Sequence, residues 1–481
     1  MADLLARLDG WTGRGVESAI RAHHRRRLGR AGRSGQLDPP DDGSLWAAGD
    51  PPPRAGCELE VLIDGARALP RIAQALSEAR SHVHIAGWHI TPGFGLTRDD
   101  DAVALRDLLG QLAEQIDVRV LLWAGAPVPV FTPGRRAVRA VREELIRGTR
   151  VRCALDTRER PMHCHHEKLV IVDGEVAFVG GIDLTSLGGD RFDSDEHPMR
   201  GRIGWHDAST RVRGPAVGDV AAHFASRWAE VDGERLATIA PAPAGAHTLQ
   251  VARTVPEKVY DFLPHGDFRI LEAYKRALRS ARRLVYLESQ FLWSSDLVEI
   301  LAAKLRDPPS DDFRVVVLLP AKPNNGADTT LGQLGVLADA DAGAQRFLAA
   351  TISARSGGLS GPLYVHAKIG IVDDAWLTIG SANLNEHSFF NDSEMNIVSC
   401  EPGLARQTRL ALWAEHLECS VAEVSGDPAR VVDELWRPIA REQLARCRRG
   451  EPQTHHLLEL DGVSRRSMAL LGPIQGLLVD G

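Results

Sequence analysis

Apolar residues in this chain follow two alternating patterns, one continuous over a few positions and one with a helical period. Residues 59–63, 83–88, 118–123 and 151–155 are short apolar runs and predict strands. Between them, residues 66–79, 102–115 and 135–147 place apolar side chains three and four apart and predict helices. An Ala- and Pro-rich stretch at 237–246 follows, and the order then returns. Helices are expected at 268–280, 297–305 and 337–349, and strands at 284–291 and 313–319. Such alternation predicts an α/β fold, and its repetition predicts two similar lobes with a pseudo-two-fold cleft between them. The expected divisions are a basic, Pro-rich tail at 1–55, a first lobe at 56–236, the connector at 237–246, a second lobe at 247–450 and an extension at 451–481. That extension is expected to carry a strand pair around Asp461-Gly462.

One motif occurs once in each lobe. His166-x-Lys168-x4-Asp173 leads to Gly180-Gly181-Ile182-Asp183, and His366-x-Lys368-x4-Asp373 leads to Gly380-Ser381-Ala382-Asn383. Matching positions differ by 200 throughout. The apolar run after each Lys predicts a strand, the Asp a turn, and residues 176–179 and 375–379 a return strand. Side chains alternate along a strand, so His166 and Lys168 share one face, as do His366 and Lys368. Asp173 and Asp373 fall on the other parity and are expected to be structural, as are Gly180 and Gly380. A turn centred on the two residues after each Asp would set Asp183 beside His166 and Asn383 beside His366, with Gly181 and Ser381 beside the lysines. Each hairpin then gathers an imidazole, an ammonium and a carboxyl or amide, the groups that hold and attack a phosphodiester. Lys is scarce here. Only six of the 57 basic residues are Lys, and two of the six stand at these matched positions.

Composition narrows the class. A hydrophobic content of 44%, a charged content of 25% and a formal charge of −7 are those of an ordinary globular protein, and the negative balance disfavours broad nucleic-acid binding. The six cysteines show no metal-ligand spacing and predict free thiols in a reducing cytosol. His163, Cys164, His165 and His166 crowd together, but neighbours on a strand point apart, so they predict no metal site. Met1 to Leu8 lack the features of a secretory leader, and no run of 18 apolar residues is present. A cytoplasmic protein is expected, and a lipid substrate would be met peripherally, at the inner face of a membrane. Arg21, Arg25, Arg26, Arg27 and Arg30 give a helix predicted for 16–30 a basic character. It reads first as a solvated helix; near anionic lipid each basic residue would contribute on the order of 1 kcal/mol.

The duplicated His-x-Lys-x4-Asp motif resembles that of the phospholipase D superfamily, over about residues 57–437. Gly87-Trp88, Gln250-Val251-Ala252-Arg253, Tyr286-Leu287-Glu288-Ser289-Gln290-Phe291 and Trp205-His206-Asp207 with Arg213-Gly214-Pro215-Ala216 resemble the phospholipase D branch. The resemblance implies two α-β-α sandwich lobes of the phospholipase D fold. It also implies a two-step displacement in which His166 attacks phosphorus and His366 serves as general acid, then base; the sequence itself does not discriminate the two imidazoles. Lys168 and Lys368 would hold phosphate oxygens, assisted by Ser381, Asn383 and Asp183. Asp207 and Glu394 stand eight residues before Pro215 and Pro402 and are nominated to orient the imidazoles. No cofactor or metal is required by the scheme. Gly181 and Asp183 depart from the Gly-Ser-x-Asn of many relatives, and His387 stands where Arg is common. The function expected is head-group cleavage or exchange on a phospholipid. The alternatives are a cardiolipin-synthase-type phosphatidyltransferase, a nuclease and a non-catalytic scaffold. Trp88, Phe192, Trp205, Trp293 and Tyr364 are candidates for a choline cage, although aromatic residues near hairpins are more often core. Oligomeric state is not readable.

Overall fold

The chain was analysed as a computed structural model, which describes residues 18–99, 102–127, 132–160, 163–324 and 327–463. The first half supplies β1 (Arg54–Ile63), β2 (His82–Gly87), β3 (Asp117–Trp123), β4 (Arg152–Asp156), β5 (Leu169–Val172), β6 (Val176–Gly180), β7 (Gly204–His206) and β8 (Ala208–Arg213). Its sheet runs β4-β3-β2-β5-β6-β8-β1, with β2, β3 and β4 parallel and the other pairs antiparallel. The second half supplies β9 (His247–Val255), β10 (Asp267–Phe268), β11 (Leu284–Glu288), β12 (Arg314–Leu318), β13 (Phe347–Ser356), β14 (Leu359–Val365), β15 (Ile369–Val372), β16 (Trp376–Gly380), β17 (Glu394–Ser399) and β18 (Leu457–Glu459). Its sheet runs β13-β12-β11-β15-β16-β17-β9, the same order with the same directions. The halves are therefore pseudo-symmetric.

Strand alternation sorts side chains into layers. Val170, Val172, Val118 and Val120 pack outward with Leu69, Ile72, Leu105 and Leu145 of the covering helices. Leu169, Ile171 and Leu121 point inward, to a core shared with Tyr286, Val316, Ile369 and Ile371 of the second sheet. Helices Ala216–Asp232 and Pro402–His416 contribute Phe224, Trp228, Leu412 and Trp413 to that shared layer. Both faces of each sheet are buried. This is why the parallel strands read as continuous apolar runs.

Asp173 and Asp373 do structural work. Asp373 accepts the backbone N–H groups of Arg282, Arg283 and Leu284 at 2.7–2.8 Å, at the entrance to β11. Asp173 accepts those of Arg80, Ser81 and His82 in the same way before β2. Gly180 and Gly380 lie at close strand approaches. A Cβ would sit 2.4 Å from Ser209 Cα in the first case and 2.2 Å from Asn396 Oδ1 in the second.

Four expectations need correction. First, the hairpin register is one residue off. Val172 pairs with Val176 and Val372 with Trp376, so each turn holds three residues beginning at the motif Asp. Asp173 and Gly174 adopt φ of 55° and 67°, and Asp373 and Asp374 adopt 54° and 53°, so the reversal starts at the Asp itself. Second, the helix expected at 337–349 lies at Ala327–Asp341, and residues 347–349 open β13. Third, residues 24–47 are not a free tail. Leu28, Leu37 and Ala47 join the core of the second half, His24 stacks on Phe390 at 4.1 Å, and Arg27 bonds Asn391 and Glu257. Arg21 and Arg25 also pair internally, with Glu299 and Asp38. Fourth, β18 pairs with β13 rather than within its own extension. Residues 464–481, and 1–17 with the leader reading, lie outside the described residues.

Replacing Asp373 by Ala strands three N–H groups at a strand entrance. The expected loss is on the order of 2 kcal/mol, read as a lower urea midpoint with an unchanged slope.

Candidate active site

The residues before each hairpin leave their own sheet and bond to the other half. His166 and Glu167 donate their N–H groups to Ser393 O at 2.9 and 3.0 Å. His366 and Ala367 donate theirs to His206 O at 2.7 and 3.1 Å. Ser393 and His206 each precede one of the nominated carboxylates. The imidazoles and carboxylates therefore pair crosswise. His166 Nδ1 lies 3.0 Å from Glu394 Oε1, and His366 Nδ1 lies 2.6 Å from Asp207 Oδ2. Each half holds the other half's ring.

His166 and His366 line one cavity of about 170 Å³, with Asp183, Arg191, Trp88 and Trp205 among its other walls. Behind it, Lys168 Nζ donates to His166 O at 2.7 Å and pairs with Asp183 Oδ2 at 3.3 Å. Lys368 Nζ donates to His366 O. Asn383 is fully buried, bonds Gln290 Oε1 at 3.4 Å through its Nδ2, and has no hydrogen-bond partner at Oδ1.

Two site expectations change. Ser381 does not face the cavity with a free hydroxyl. Its Oγ donates to Glu394 Oε2 and accepts from Met395 N at 3.1 Å, so it serves the carboxylate. Asp183 lines the cavity, but as a counter-ion of Lys168; an ionised carboxylate would repel a phosphate oxygen. The departure at Gly181 has a steric reason. A Cβ there would lie 2.1 Å from Asp207 Oδ1, so the first half has room only for Gly where the second has Ser. The cluster around residue 163 does not converge. His163 Nδ1 meets His387 Nδ1 at 3.0 Å, His165 meets Ser393 Oγ at 2.9 Å, and His166 meets Glu394. Among the aromatic candidates, Trp88 and Trp205 line the cavity, while Phe192 packs beside Phe94 and Trp293 beside Phe291.

Sequence reasoning missed Arg191. Its side chain is buried, its guanidinium carbon lies 3.3 Å from the centroid of the Trp205 ring, and one Nη donates to Leu187 O at 2.8 Å. Nε and the other Nη have no hydrogen-bond partner. In a chain so rich in Arg, nothing local marks this one. Only the fold turns it into the cavity.

Burial sets the proton affinities. It lowers His366 well below the usual imidazole range, and Lys368, Arg191 and Lys168 lower it further, so the ring is neutral near pH 7. It pushes the Asp207 carboxyl up to about 7 against the pull of Lys368. It pushes Glu394 up to about 7 against Lys168 and the Ser381 and Ser388 hydroxyls. It brings Lys368 down to about 7, opposed by Asp207.

Residues 75–204 match the phospholipase D family, and residues 274–413 match the family described as cardiolipin synthase, phospholipase D-like domain, so each match contains one hairpin. The chain belongs to the phospholipase D superfamily. It is 23% identical to phospholipase D alpha 3 of Arabidopsis thaliana, over 80% of this chain and 68% of that one. It is 25% identical to the major cardiolipin synthase ClsA of Bacillus subtilis, over 70% of this chain and 64% of that one. A match to phospholipase D A of Dictyostelium discoideum, 25% identical, covers 76% of this chain and 36% of that one. The chain thus spans about two thirds or less of the length of these relatives. In structure it resembles a phosphatidylserine synthase of Haemophilus influenzae, with a TM-score of 0.52 and 11% identity, covering 82% of this chain and 93% of that one. That likeness shows the two-lobed fold. Among the described residues, no helix is long and apolar enough to cross a membrane.

Glu394 yields a signed pH prediction. Its folded value of about 7 exceeds the ordinary 4.5, so between those values the folded protein holds a proton that the unfolded chain has released. Its contribution to stability is full below pH 4.5 and is lost as pH rises toward 7, by on the order of 3 kcal/mol. Glu394→Gln does not titrate there. The stability of the variant minus that of the parent should rise from pH 4.5 to 7, and a flat difference would contradict the assignment. Gly181→Ala should displace Asp207 and lower the melting temperature, whereas Gly201→Ala, at an open position, should not.

Proposed function

We propose that this chain cleaves the phosphodiester between a glycerophospholipid and its head group and passes the phosphatidyl group to water or another alcohol. The observation that carries the reading is the crossed pair: two imidazoles, each held at Nδ1 by a carboxylate of the opposite half, on one cavity. The names of the relatives, phospholipase D and cardiolipin synthase, lend the substrate class.

The carboxylate at Nδ1 fixes the tautomer and leaves the chemistry to Nε2. In the first step Nε2 of one ring attacks phosphorus. A P–N bond forms, the P–O bond to the head group breaks, and the second ring, protonated at Nε2, gives its proton to the departing oxygen. In the second step that ring takes a proton from water or alcohol, whose oxygen displaces the histidine nitrogen from phosphorus. Lys168, Lys368 and Arg191 neutralise charge on the non-bridging oxygens. Asn383 stays behind the cavity, and its unpartnered atom is an acceptor, which does not suit the phosphate-binding role expected of it. Trp88 and Trp205 form an apolar wall for the group that enters or leaves.

The family resemblance gives the attack to His166. Burial, with Lys368, Arg191 and Lys168, lowers the proton affinity of His366, which is compatible with a nucleophile in the reverse order. Mass spectrometry of a quenched reaction decides, because the phosphatidyl adduct sits on one histidine only.

Incubation with mixed phospholipids and ethanol should give phosphatidate and phosphatidylethanol. Release from DNA alone, or no lipid product, would overturn the proposal. His166→Ala and His366→Ala should each lower turnover at least about 10³-fold. Arg191→Met should lower kcat/KM by about 10²-fold. An unchanged kcat/KM would remove Arg191 from phosphate binding.

A further inference from the structure

Behind Asp207, away from the cavity, lies a second cluster of ionisable side chains that the proposed reaction does not use. Asp64 follows β1, His197 lies in the loop before β7, His206 ends β7, and Glu415 sits in the last turn of helix Pro402–His416. One atom from each lies within 4.8 Å of the other three. We propose that Asp64, His197, His206 and Glu415 form a binding site for one first-row divalent metal ion, with zinc the best fit, and that this ion is structural.

Four observations point the same way. First, three of the four residues bring a buried atom without a hydrogen bond: Asp64 Oδ2, His197 Nε2 and Glu415 Oε1. The fourth, His206, has Asp64 Oδ1 as the partner of its Nδ1 at 2.9 Å. Unpartnered buried atoms gathered in one cluster are a costly arrangement unless something binds them together. Second, the spacings suit a small tetrahedral ion. Glu415 Oε1 lies 3.5 Å from both His197 Nε2 and His206 Nδ1. Ligands about 2.0–2.2 Å from zinc at tetrahedral angles are separated by roughly 3.3–3.6 Å.

Third, the remaining nitrogen of each histidine is held by a carboxylate. His197 Nδ1 lies 2.7 Å from Asp193 Oδ2, and His206 Nε2 lies 3.0 Å from Glu288 Oε2. Glu288 is anchored in turn by the Tyr286 hydroxyl at 2.6 Å and His416 Nε2 at 3.2 Å. Carboxylates behind ligating imidazoles are the usual outer partners of a bound metal. Fourth, the donor set suits a transition-metal dication, with two carboxylate groups from Asp64 and Glu415 and two imidazoles from His197 and His206. Two imidazoles and two carboxylates favour zinc over calcium or magnesium, which take oxygen ligands.

The site would staple the halves together. Glu415 belongs to the second half, and the other three belong to the first. Asp64 also grips the neighbour of the ligand His206: its N–H donates to Asp207 O at 2.7 Å, and its Oδ1 accepts from Asp207 N at 3.1 Å. The backbone at Gly65 lies so close to Arg191 that a Cβ would meet its carbonyl oxygen. A metal at this point would stiffen the wall that presents both Asp207 and Arg191. The group formed by His163, His387 and Asp392 is a weaker candidate, because its imidazoles already bond one another.

The test is elemental analysis of the full chain, purified without chelator or added metal. About one equivalent of zinc, or of another first-row transition metal, is expected per chain. His197→Ala and Glu415→Gln should each lose most of it, and His163→Ala should keep it. Protein stripped with a strong chelator should melt at a lower temperature and recover with Zn²⁺ but not with Ca²⁺ or Mg²⁺; Co²⁺ should give the intense visible bands of a tetrahedral site. Should His197→Ala fail to fold, Glu415→Gln and the stripped parent still decide. The inference is overturned if the parent holds no more than traces of metal and its melting point ignores Zn²⁺. It is equally overturned if both variants keep the full complement. These readouts do not depend on lipid turnover, so their failure is distinct from failure of the proposed reaction.

Discussion

Two imidazole–carboxylate contacts run crosswise over the seam between the halves, and the molecule is arranged to keep them. His166 belongs to the first hairpin and leans on Glu394 of the second half; His366 belongs to the second and leans on Asp207 of the first. Neither half can orient its own ring. The backbone secures the exchange, because each histidine's N–H bonds the residue just before the other half's carboxylate. Duplication alone would give two copies of a motif. Crossed pairing makes them one site, since separating the halves would leave two buried carboxylates and two buried rings without partners.

Burial then governs the chemistry. The rings, lysines and carboxylates of the site are nearly excluded from water. In such surroundings charged forms are disfavoured, and opposite charges support one another. Asp207, Glu394 and Lys368 accordingly move toward neutrality from both directions. In the proposed reaction, an entering phosphodiester would meet cations whose full charge its own anion restores. The asymmetry between the halves is local. Asp207 crowds the position where Gly181 stands, whereas the longer Glu394 leaves room for Ser381 and accepts its hydroxyl proton. The Gly/Asp and Ser/Glu combinations are each internally consistent, and exchanging one member alone would break either.

The same logic extends behind the site. Asp207 directly follows β7, and His206, one residue earlier, ends that strand and points to the opposite side. The ring of His206 reaches a largely buried network of acids and imidazoles that bridges the same seam. One short strand, β7, with parallel pairing to β14, thus presents one face to the imidazole pair and the other to the inferred metal site.

Much of this could be read from the chain. A histidine, a lysine and an aspartate repeated at a constant offset of 200 define two hairpins, and strand parity separates the His and Lys from the Asp whatever the rest of the fold does. The alternation of apolar runs with amphipathic stretches was enough for the α/β class, because strands buried on both faces and helices buried on one leave different patterns. The hairpin register was not legible. It turned on left-handed backbone at Asp173 and Asp373, and a shift of one residue there moves every cross-strand partner. Asp207 and Glu394 were nominated as partners of the rings, but not which ring each would hold, since each lies in the opposite half, 159 and 228 residues from its ring. Arg191, Ser381 and the docking of residues 24–47 were decided by tertiary structure alone. Sequence fixes the period and chemistry of a segment, but which buried group an isolated side chain faces depends on how distant segments fold against it.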